Sequence, residues 1–199
     1  LSTVTQSAFE NQQEVVQNEK RQRVDNRPYG HSNYVTIKNM YPEGHPYNWT
    51  VIGELEDLQN ATLEDVRSFY EQWYGPNNAT MVIAGDISPR AVKKMVEKYF
   101  GEIKKGPEIK NPEPWHVTLE TTKKVFHEDN FARSPRLSMS FPTVNQLDDD
   151  APALELLGQL LGDGKKAPLY KVIVEDRKLA PNISSFSRTQ EIAGTFNIS

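Results

Sequence analysis

The chain has 199 residues, enough for one ordinary domain or for two small or incomplete ones. Its 37% hydrophobic and 25% charged composition, with 8 Phe, 8 Tyr and 3 Trp, is typical of a folded protein and excludes intrinsic disorder. The net charge of −4 gives no electrostatic reason to expect nucleic acid or an anionic membrane as a partner.

The absence of cysteine excludes disulfides, thiolate nucleophiles and thiolate metal sites. It is compatible with an oxidising compartment, so we expect a periplasmic or otherwise extracytoplasmic location and leave the cytoplasm open. No apolar run approaches the roughly 18 residues of a membrane span, and no signal peptide is recognisable. Because the chain starts at Leu1 without Met, in a helix-favouring pattern, we expect it to be part of a longer protein.

The first half of the chain is predicted to be mainly helical. Residues 3 to about 25 contain no Pro or Gly, which predicts one helix ending at the stop signals of DNRPYG. Residues 31–60 hold two turn clusters around short segments whose type the pattern leaves open. Thr62 and Asp65 form a capping-box-like start, which predicts a helix over about 62–74.

A strand and a further helix are predicted before a linker. The apolar run TMVIAGD, residues 80–86, is typical of a buried strand, and Ser88 followed by Pro89 predicts a helix to about residue 102. Residues 104–116 are rich in Pro, Gly and charge, which indicates an exposed linker.

Past the linker the predicted order is strand, strand, helix, helix, strand, strand. These elements are KKVFHED, RLSMSFPT, DDDAPALELLGQLLGDG, APLYKVIVEDRKLA, NISSFSRT and AGTFNIS, in chain order. The last strand reaches the end of the chain without a cap. We therefore expect the linker to join two partial domains of mixed α and β structure.

Few residues offer catalytic chemistry. There is no GxSxG elbow, no phosphate-binding GxxxxGK[ST] and no GxGxxG, so a nucleotide site is not expected. No two of the four histidines are three or four residues apart, the spacing that places two metal ligands on one helix face. His45, alone before Pro in a turn, is expected to pack or to form hydrogen bonds.

Glu19 is the one anomalous carboxylate. At about 100° per residue from Val4, Glu19 falls near ~60°, inside the arc of apolar side chains, whereas Glu10 falls near ~240° and Glu14 near ~280°. An ionised carboxylate removed from water needs a cation, a metal or hydrogen-bond donors. Two alternatives stay open: an ion pair with Arg23 or another arginine, or a metal ion whose other ligands lie elsewhere.

Three stretches together resemble the M16 zinc metallopeptidases, the pitrilysin, insulinase and processing-peptidase relatives, of a bacterial kind. They are NQQEVVQNEKRQRVDNRPYG, the block GHPYNWTVIGELEDLQNATLEDVRSFYEQWYGPNNATMVIAGDIS, and LGQLLGDGKKAPLYKVIVEDRKLA. The resemblance covers nearly the whole chain in order, and it rests on the combination of these elements.

The resemblance implies a zinc endopeptidase that cleaves peptides or unfolded segments through a zinc-activated water. In this family H-x-x-E-H supplies two His ligands and a Glu general base, and a Glu in a segment resembling V-V-x-x-E supplies the third ligand. Glu19 matches that third ligand. H-x-x-E-H does not occur in the 199 residues, so the chain alone is expected to be inactive, with no catalytic residue of its own and no bound Zn²⁺.

Two further residues of the same helix could support the zinc-binding carboxylate. The family often has an acid two turns before the zinc-binding Glu, where this chain has Gln12, with Glu10 nearby. Both are candidates to support the zinc ligand through hydrogen bonds, because Gln, although not an acid, can donate or accept a hydrogen bond towards a ligand.

The resemblance also implies a fold class and partners. We expect an α+β fold of two-layer M16 (LuxS/MPP-like) units, with antiparallel-rich sheets carrying helices on one face. Residues 1–103 would be the C-terminal part of the zinc-bearing domain, 104–116 the linker, and 117–199 the N-terminal part of a second, homologous domain. The expected partners are a peptide substrate and a homologous M16 half or subunit, and the alternative function is that of a non-catalytic peptide-binding or partner subunit.

Overall fold

The structure, a computed structural model, describes residues 4–199. Its helices are α1 Gln6–Lys20, α2 Ser32–Met40, α3 Leu55–Asn60, α4 Leu63–Trp73, α5 Pro89–Phe100, α6 Ala151–Gly162 and α7 Pro168–Tyr170. Its strands are β1 Met139–Thr143, β2 Ser185–Thr189 and β3 Gly194–Ile198. Short π-helical turns, Arg21–Asp25 and Lys171–Asp176, extend α1 and α7, and a 3₁₀ turn spans Pro76–Asn78. The predicted α+β class is confirmed.

The chain divides into two compact units. The first comprises residues 4–16 of the described chain together with 54–111, and the second comprises 17–53 and 112–199. The predicted division into 1–103, 104–116 and 117–199 concerns homology between domains. Compactness does not test that homology, so this division stays a prediction.

The first unit contains α4, whose start follows the predicted capping chemistry. The Thr62 hydroxyl accepts a hydrogen bond from the Asp65 backbone N–H at 3.2 Å, and the Asp65 carboxylate accepts one from the Thr62 backbone N–H at 2.8 Å. These reciprocal bonds satisfy two of the donors that a helix start leaves unpaired. The helix predicted over about 62–74 is confirmed, as is the one predicted from residue 88.

The buried strand predicted at residues 80–86 is wrong for this structure. No strand is assigned there, and Met81, Val82 and Ile83 are 53%, 85% and 45% exposed. A strand requires hydrogen bonds to a neighbouring strand, and no described residue provides one to this segment. The strand predicted at 123–129 is likewise absent.

The second unit contains the sheet. Its strand order is β1-β3-β2 and both pairings are antiparallel, with Phe196 of β3 opposite Phe141 on one side and Ser187 on the other. Phe196 is 7% exposed. Since side chains alternate along a strand, the neighbours of Phe196 on β3 face the opposite side of the sheet.

Helix α6 packs against this sheet, mainly on β2. Gly158 and Gly162 permit the close approach: a Cβ atom at Gly158 would lie 2.9 Å from the Phe186 Cα, and one at Gly162 would lie 2.5 Å from the Ser185 N. The two helices and the two final strands predicted in this half are confirmed by α6, by α7 with its π-helical extension, and by β2 and β3.

A second buried cluster joins the end of α2 to the loop before β3. It is formed by Met40, Tyr41 and Ala193, all at most 5% exposed. His45 is fully buried beside it and stacks on Tyr41, with ring centroids 4.4 Å apart. Within residues 4–199, no helix is both long and apolar enough to cross a membrane.

Candidate metal-ligand site

The predicted helix at the start of the chain is confirmed, and it places Glu19 one residue before its end. Helix α1 spans Gln6–Lys20 and continues into the π-helical turn Arg21–Asp25, which closes with a hydrogen bond from Asn26 N–H to the Arg21 carbonyl at 2.8 Å. The predicted start at residue 3 lies outside the described residues. The π-helical turn begins two residues after Glu19 and contains Arg23.

Glu19 forms an ion pair with Arg23. The Arg23 Nη1 lies 2.8 Å from the Glu19 Oε1, and the two side chains are 75% and 38% exposed. An exposed helical pair of this spacing stabilises by only about 0.3–0.5 kcal/mol. The first of the two alternatives is therefore what the structure contains, in a form that leaves the carboxylate accessible.

The predicted burial of Glu19 is not observed. The arc of apolar side chains that was expected to cover it is open at Val15, which is 54% exposed, and the buried residue at this helix end is Lys20 instead. Lys20 Nζ donates to the Gly53 carbonyl at 2.9 Å. A helical wheel identifies an apolar stripe but does not show what packs on it, and here the stripe is only partly covered.

The two residues predicted to support Glu19 are exposed. Glu10 accepts a hydrogen bond from Gln6 Nε2 at 2.9 Å, while Gln12 makes no side-chain hydrogen bond to any residue of 4–199. The neighbouring Gln13 is the anchored one, since its Nε2 donates to the Leu58 carbonyl at 2.6 Å. That Glu10 and Gln12 support Glu19 through hydrogen bonds stays a prediction.

The described residues do not form a metal site by themselves. No group of three or more His, Asp or Glu side chains that could hold a metal ion occurs among them, and the chain has no Cys. Catalytic zinc takes three protein ligands, and the described residues place no such group around Glu19.

His45 is not available as a ligand, as its sequence context predicts. Its Nδ1 accepts the Tyr47 backbone N–H at 3.0 Å, which leaves the ring proton on Nε2, and Nε2 donates to the Trp115 carbonyl at 3.0 Å. Both nitrogens of a fully buried ring are thus occupied. Binding a metal would break one of these bonds inside the protein.

Two other histidines meet in space although their spacing in the sequence gives no signal of it. The rings of His31 and His127 lie 5.8 Å apart, and the His31 Nε2 is 3.5 Å from the Asp25 Oδ1. Only the folding of residues 119–140 beside α2 brings them together.

The loop beside these histidines is held by Asp129. Its carboxylate accepts the backbone N–H groups of Tyr29, Phe131 and Ala132 at 2.7, 2.8 and 2.8 Å. These bonds hold the pKa of the Asp129 carboxyl below its ordinary value, and the bond from Phe131 has the largest effect. Tyr29 has φ 58, the left-handed region, and its hydroxyl donates to the Ser134 carbonyl at 2.7 Å. Both the backbone and the side-chain hydroxyl of Tyr29 are therefore held by hydrogen bonds.

Comparison with known proteins identifies one family. Residues 60–199 match the family model described as the peptidase M16 inactive domain. The chain is 30% identical over 184 residues, 91% of its length and 40% of the relative's, to the zinc protease PqqE of Helicobacter pylori. It is 24% identical over 177 residues, 88% of its length and 41% of the relative's, to the probable inactive metalloprotease YmfF of Bacillus subtilis.

Solved structures agree. A protease from Helicobacter pylori superposes with a TM-score of 0.80 at 28% identity, covering 98% of this chain and 48% of that one. A peptidase M16 inactive domain from Pseudomonas fluorescens superposes with a TM-score of 0.73 at 19% identity, covering 98% and 47%, which shows the shared fold. The chain spans less than half the length of these proteins.

Proposed function

Since this chain belongs to the family of the peptidase M16 inactive domain, we propose that it forms part of a zinc-dependent endopeptidase that cleaves peptides or unfolded segments. The family resemblance read from the sequence is thereby confirmed, and the activity is the proposal. Its main support is Glu19, an accessible carboxylate at the end of α1 within a segment that resembles the family's V-V-x-x-E.

Glu19 suits the role of a single zinc ligand. Its carboxylate is 38% exposed, and its partner is an exposed arginine one turn away. Exchanging such a pair for a metal costs little, because the pair contributes only about 0.3–0.5 kcal/mol. The other ligands and the general base would come from residues outside these 199, so this chain alone would be inactive and would hold no zinc of its own.

The proposed roles of the two halves of the chain rest on the predicted domain organisation. Residues 1–103 would complete the metal-bearing domain, 104–116 would be the linker, and 117–199 would begin a homologous domain without metal ligands. That second domain would form one wall of a chamber around the peptide. A homologous M16 half, in the same protein or in a partner subunit, would complete the assembly.

The location is proposed to be extracytoplasmic. The absence of Cys is compatible with such a location. A structural neighbour of the same fold, at 15% identity and a TM-score of 0.62, is described as a periplasmic protease of Escherichia coli.

A second candidate function is that of a non-catalytic peptide-binding or partner subunit. It is favoured by the relative from Bacillus subtilis described as a probable inactive metalloprotease. In that case replacing Glu19 would have no effect on peptide cleavage.

A cleavage assay on the longer protein that carries this chain separates the two functions. We expect Glu19→Gln to abolish zinc-dependent cleavage of a quenched fluorescent peptide and to lower the zinc content of the purified protein. Glu14→Gln is the matched control, because Glu14 is an exposed glutamate on the same helix. Unchanged cleavage and zinc content in Glu19→Gln, or the absence of H-x-x-E-H upstream of Leu1, would overturn the proposal.

A further inference from the structure

A cavity of about 520 Å³ lies in the second unit between α2 and residues 119–140. Its volume falls in the range of small-molecule and peptide side-chain sites. Val35, Met40, Leu119 and Val125 supply apolar lining, residues 123–136 supply charged side chains, and the remaining lining is mostly uncharged polar, including Ser32 and Asn39. A ligand that fills it would combine an apolar part with a charged one.

The charge of the lining is positive. Lys123, Arg133 and Arg136 line the cavity with Glu128 and Asp129. The Asp129 carboxylate already accepts three backbone N–H bonds, so these bonds largely compensate its charge. Three permanent cations then face one uncompensated carboxylate, which favours an anionic ligand.

None of these three cations has an acidic partner within residues 4–199. Within residues 4–199, no carboxylate lies within 4.0 Å of the guanidinium of Arg133 or Arg136. Lys123 is already engaged in a different way, because its Nζ donates to the backbone carbonyl of Asn39 at 2.8 Å. An arginine offers a planar fork of donors that matches a carboxylate or phosphate with two parallel hydrogen bonds.

Arg136 is also held in place. Its guanidinium lies 5.7 Å from the centroid of the Tyr29 ring, a distance at which the ring face attracts a cation. Tyr29 is itself fixed by its backbone bond to Asp129 and its hydroxyl bond to Ser134. The left-handed φ of 58 at Tyr29 is uncommon for a residue with a side chain, and such conformations persist where surrounding bonds over-determine them.

We propose that this cavity binds a peptide carboxylate, with Arg133 and Arg136 as the binding residues and the Tyr29 ring positioning Arg136. The apolar lining favours a peptide over a free inorganic anion, because phosphate alone would leave Val35, Leu119 and Val125 uncovered. The identification of the ligand as a peptide rests on the proposed peptidase function. The carboxylate comes from a peptide C-terminus or from an acidic side chain.

Equilibrium binding to the full 199-residue chain tests the proposal without zinc or catalysis. The probes are an N-acetylated apolar pentapeptide with a free C-terminal carboxylate, its C-terminal amide, and the amide carrying one internal Glu. We expect at least one carboxylate-bearing peptide to bind about tenfold or more tightly than the neutral amide. The tighter of the two identifies the source of the carboxylate.

Variants assign the site. We expect Arg133→Gln and Arg136→Gln each to remove most of the difference between the acidic and neutral peptides, and Arg136→Lys to retain part of it. Arg90→Gln is the matched control, an exposed arginine on α5 that does not line the cavity. Far-ultraviolet circular dichroism verifies that the exposed substitutions leave the fold intact.

Equal binding of the three peptides, or an unchanged difference in both arginine variants, would overturn the proposal. So would inorganic phosphate that binds as tightly as the better peptide. Glu19→Gln should leave this binding unchanged, because Glu19 does not line the cavity. If Glu19→Gln keeps both cleavage and peptide binding, only the zinc-ligand proposal fails. If Glu19→Gln abolishes cleavage but the two arginine variants leave peptide binding unchanged, only the carboxylate-site proposal fails.

Discussion

At the scale of single residues, the charged carboxylate of Asp129 holds the conformation of the loop that contains it. Its carboxylate accepts backbone N–H groups from both sides of the cavity, from Tyr29 and from Phe131 and Ala132. The bond from Phe131, with those from Ala132 and Tyr29 and the nearby His127, lowers the pKa of Asp129 from its ordinary value of 3.8. Burial opposes this effect but does not reverse it.

This lowered pKa predicts a pH dependence of stability. Because the folded-state pKa lies below the unfolded one, the carboxylate stabilises the fold above the ordinary aspartate range, and the contribution is lost as the pH falls through the lowered value. We expect Asp129→Asn to reduce the urea midpoint at neutral pH and the difference from the wild type to narrow below about pH 4. Asp163→Asn, at an exposed aspartate of the same unit, should show no such narrowing. A difference independent of pH would contradict this assignment.

Thr62 gives a second prediction at this scale. Its hydroxyl caps α4 by accepting the Asp65 N–H, and replacing such a cap by Ala costs about 1 kcal/mol. We expect Thr62→Ala to lower the free energy of unfolding by about that amount in chemical denaturation, whereas Thr80→Ala, at an exposed threonine of the same unit, should have no measurable effect. Equal effects of the two substitutions would show that the cap does not stabilise the unit.

At the scale of elements, the contact between α6 and β2 depends on two glycines. The positions at which Gly158 and Gly162 would carry Cβ atoms are occupied by backbone of β2. Neither glycine has a positive φ, so the requirement is for space and not for backbone conformation. A side chain at either position would push the helix from the sheet.

Gly158→Ala and Gly162→Ala are therefore expected to destabilise the second unit by about 1–3 kcal/mol each, although Ala has the higher helix propensity. Gln159→Ala, at an exposed position of the same helix, gains propensity without a clash and should stay within about 0.5 kcal/mol of the wild type. Thermal unfolding measures all three. A stabilising Gly162→Ala would mean that α6 and β2 are not in close contact.

The sequence predicts an element when the residues that determine it are neighbours in the chain. It does not predict an element that requires pairing with a distant segment. The Thr62 cap and the Pro89 start each encode a helix within a few residues. The run at 80–86 has the composition of a strand, but pairing is decided by another segment, and the structure leaves it unpaired and exposed.

The same distinction holds at the candidate sites. Glu19 was found because its position in V-V-x-x-E is local, whereas its burial depended on what covers α1 and was predicted wrongly. The cavity and the meeting of His31 with His127 join segments about one hundred residues apart, and no periodicity in the sequence reports such a contact.

At the scale of the whole molecule, burial is unevenly distributed between the two units. Every buried residue among those described belongs to the second unit, whereas the first, with α3, α4 and α5, has none. Large side chains such as Phe69, Tyr99 and Val82 are 59%, 69% and 85% exposed there. Since helices derive most of their stability from packing an apolar face, the first unit should open more readily.

Hydrogen exchange measures this difference. Helices α5 and α6 are matched, with 12 residues each, but only α6 packs on a sheet. We expect the backbone amides of α5 to exchange faster than those of α6 under native conditions, because opening costs less where few apolar contacts are lost. Equal protection of the two helices would contradict the division into a well-packed and a poorly packed unit.

We propose above that Glu19 is one ligand of a zinc site completed by residues outside this chain. Calorimetric zinc titration of the longer protein, with Glu19→Gln and Glu14→Gln beside the wild type and the 199-residue chain, tests it most directly. We expect one tight site in the wild type and in Glu14→Gln, an affinity reduced at least about a hundredfold in Glu19→Gln, and no tight site in the 199-residue chain. Zinc binding by Glu19→Gln that is as tight as that of the wild type would contradict it.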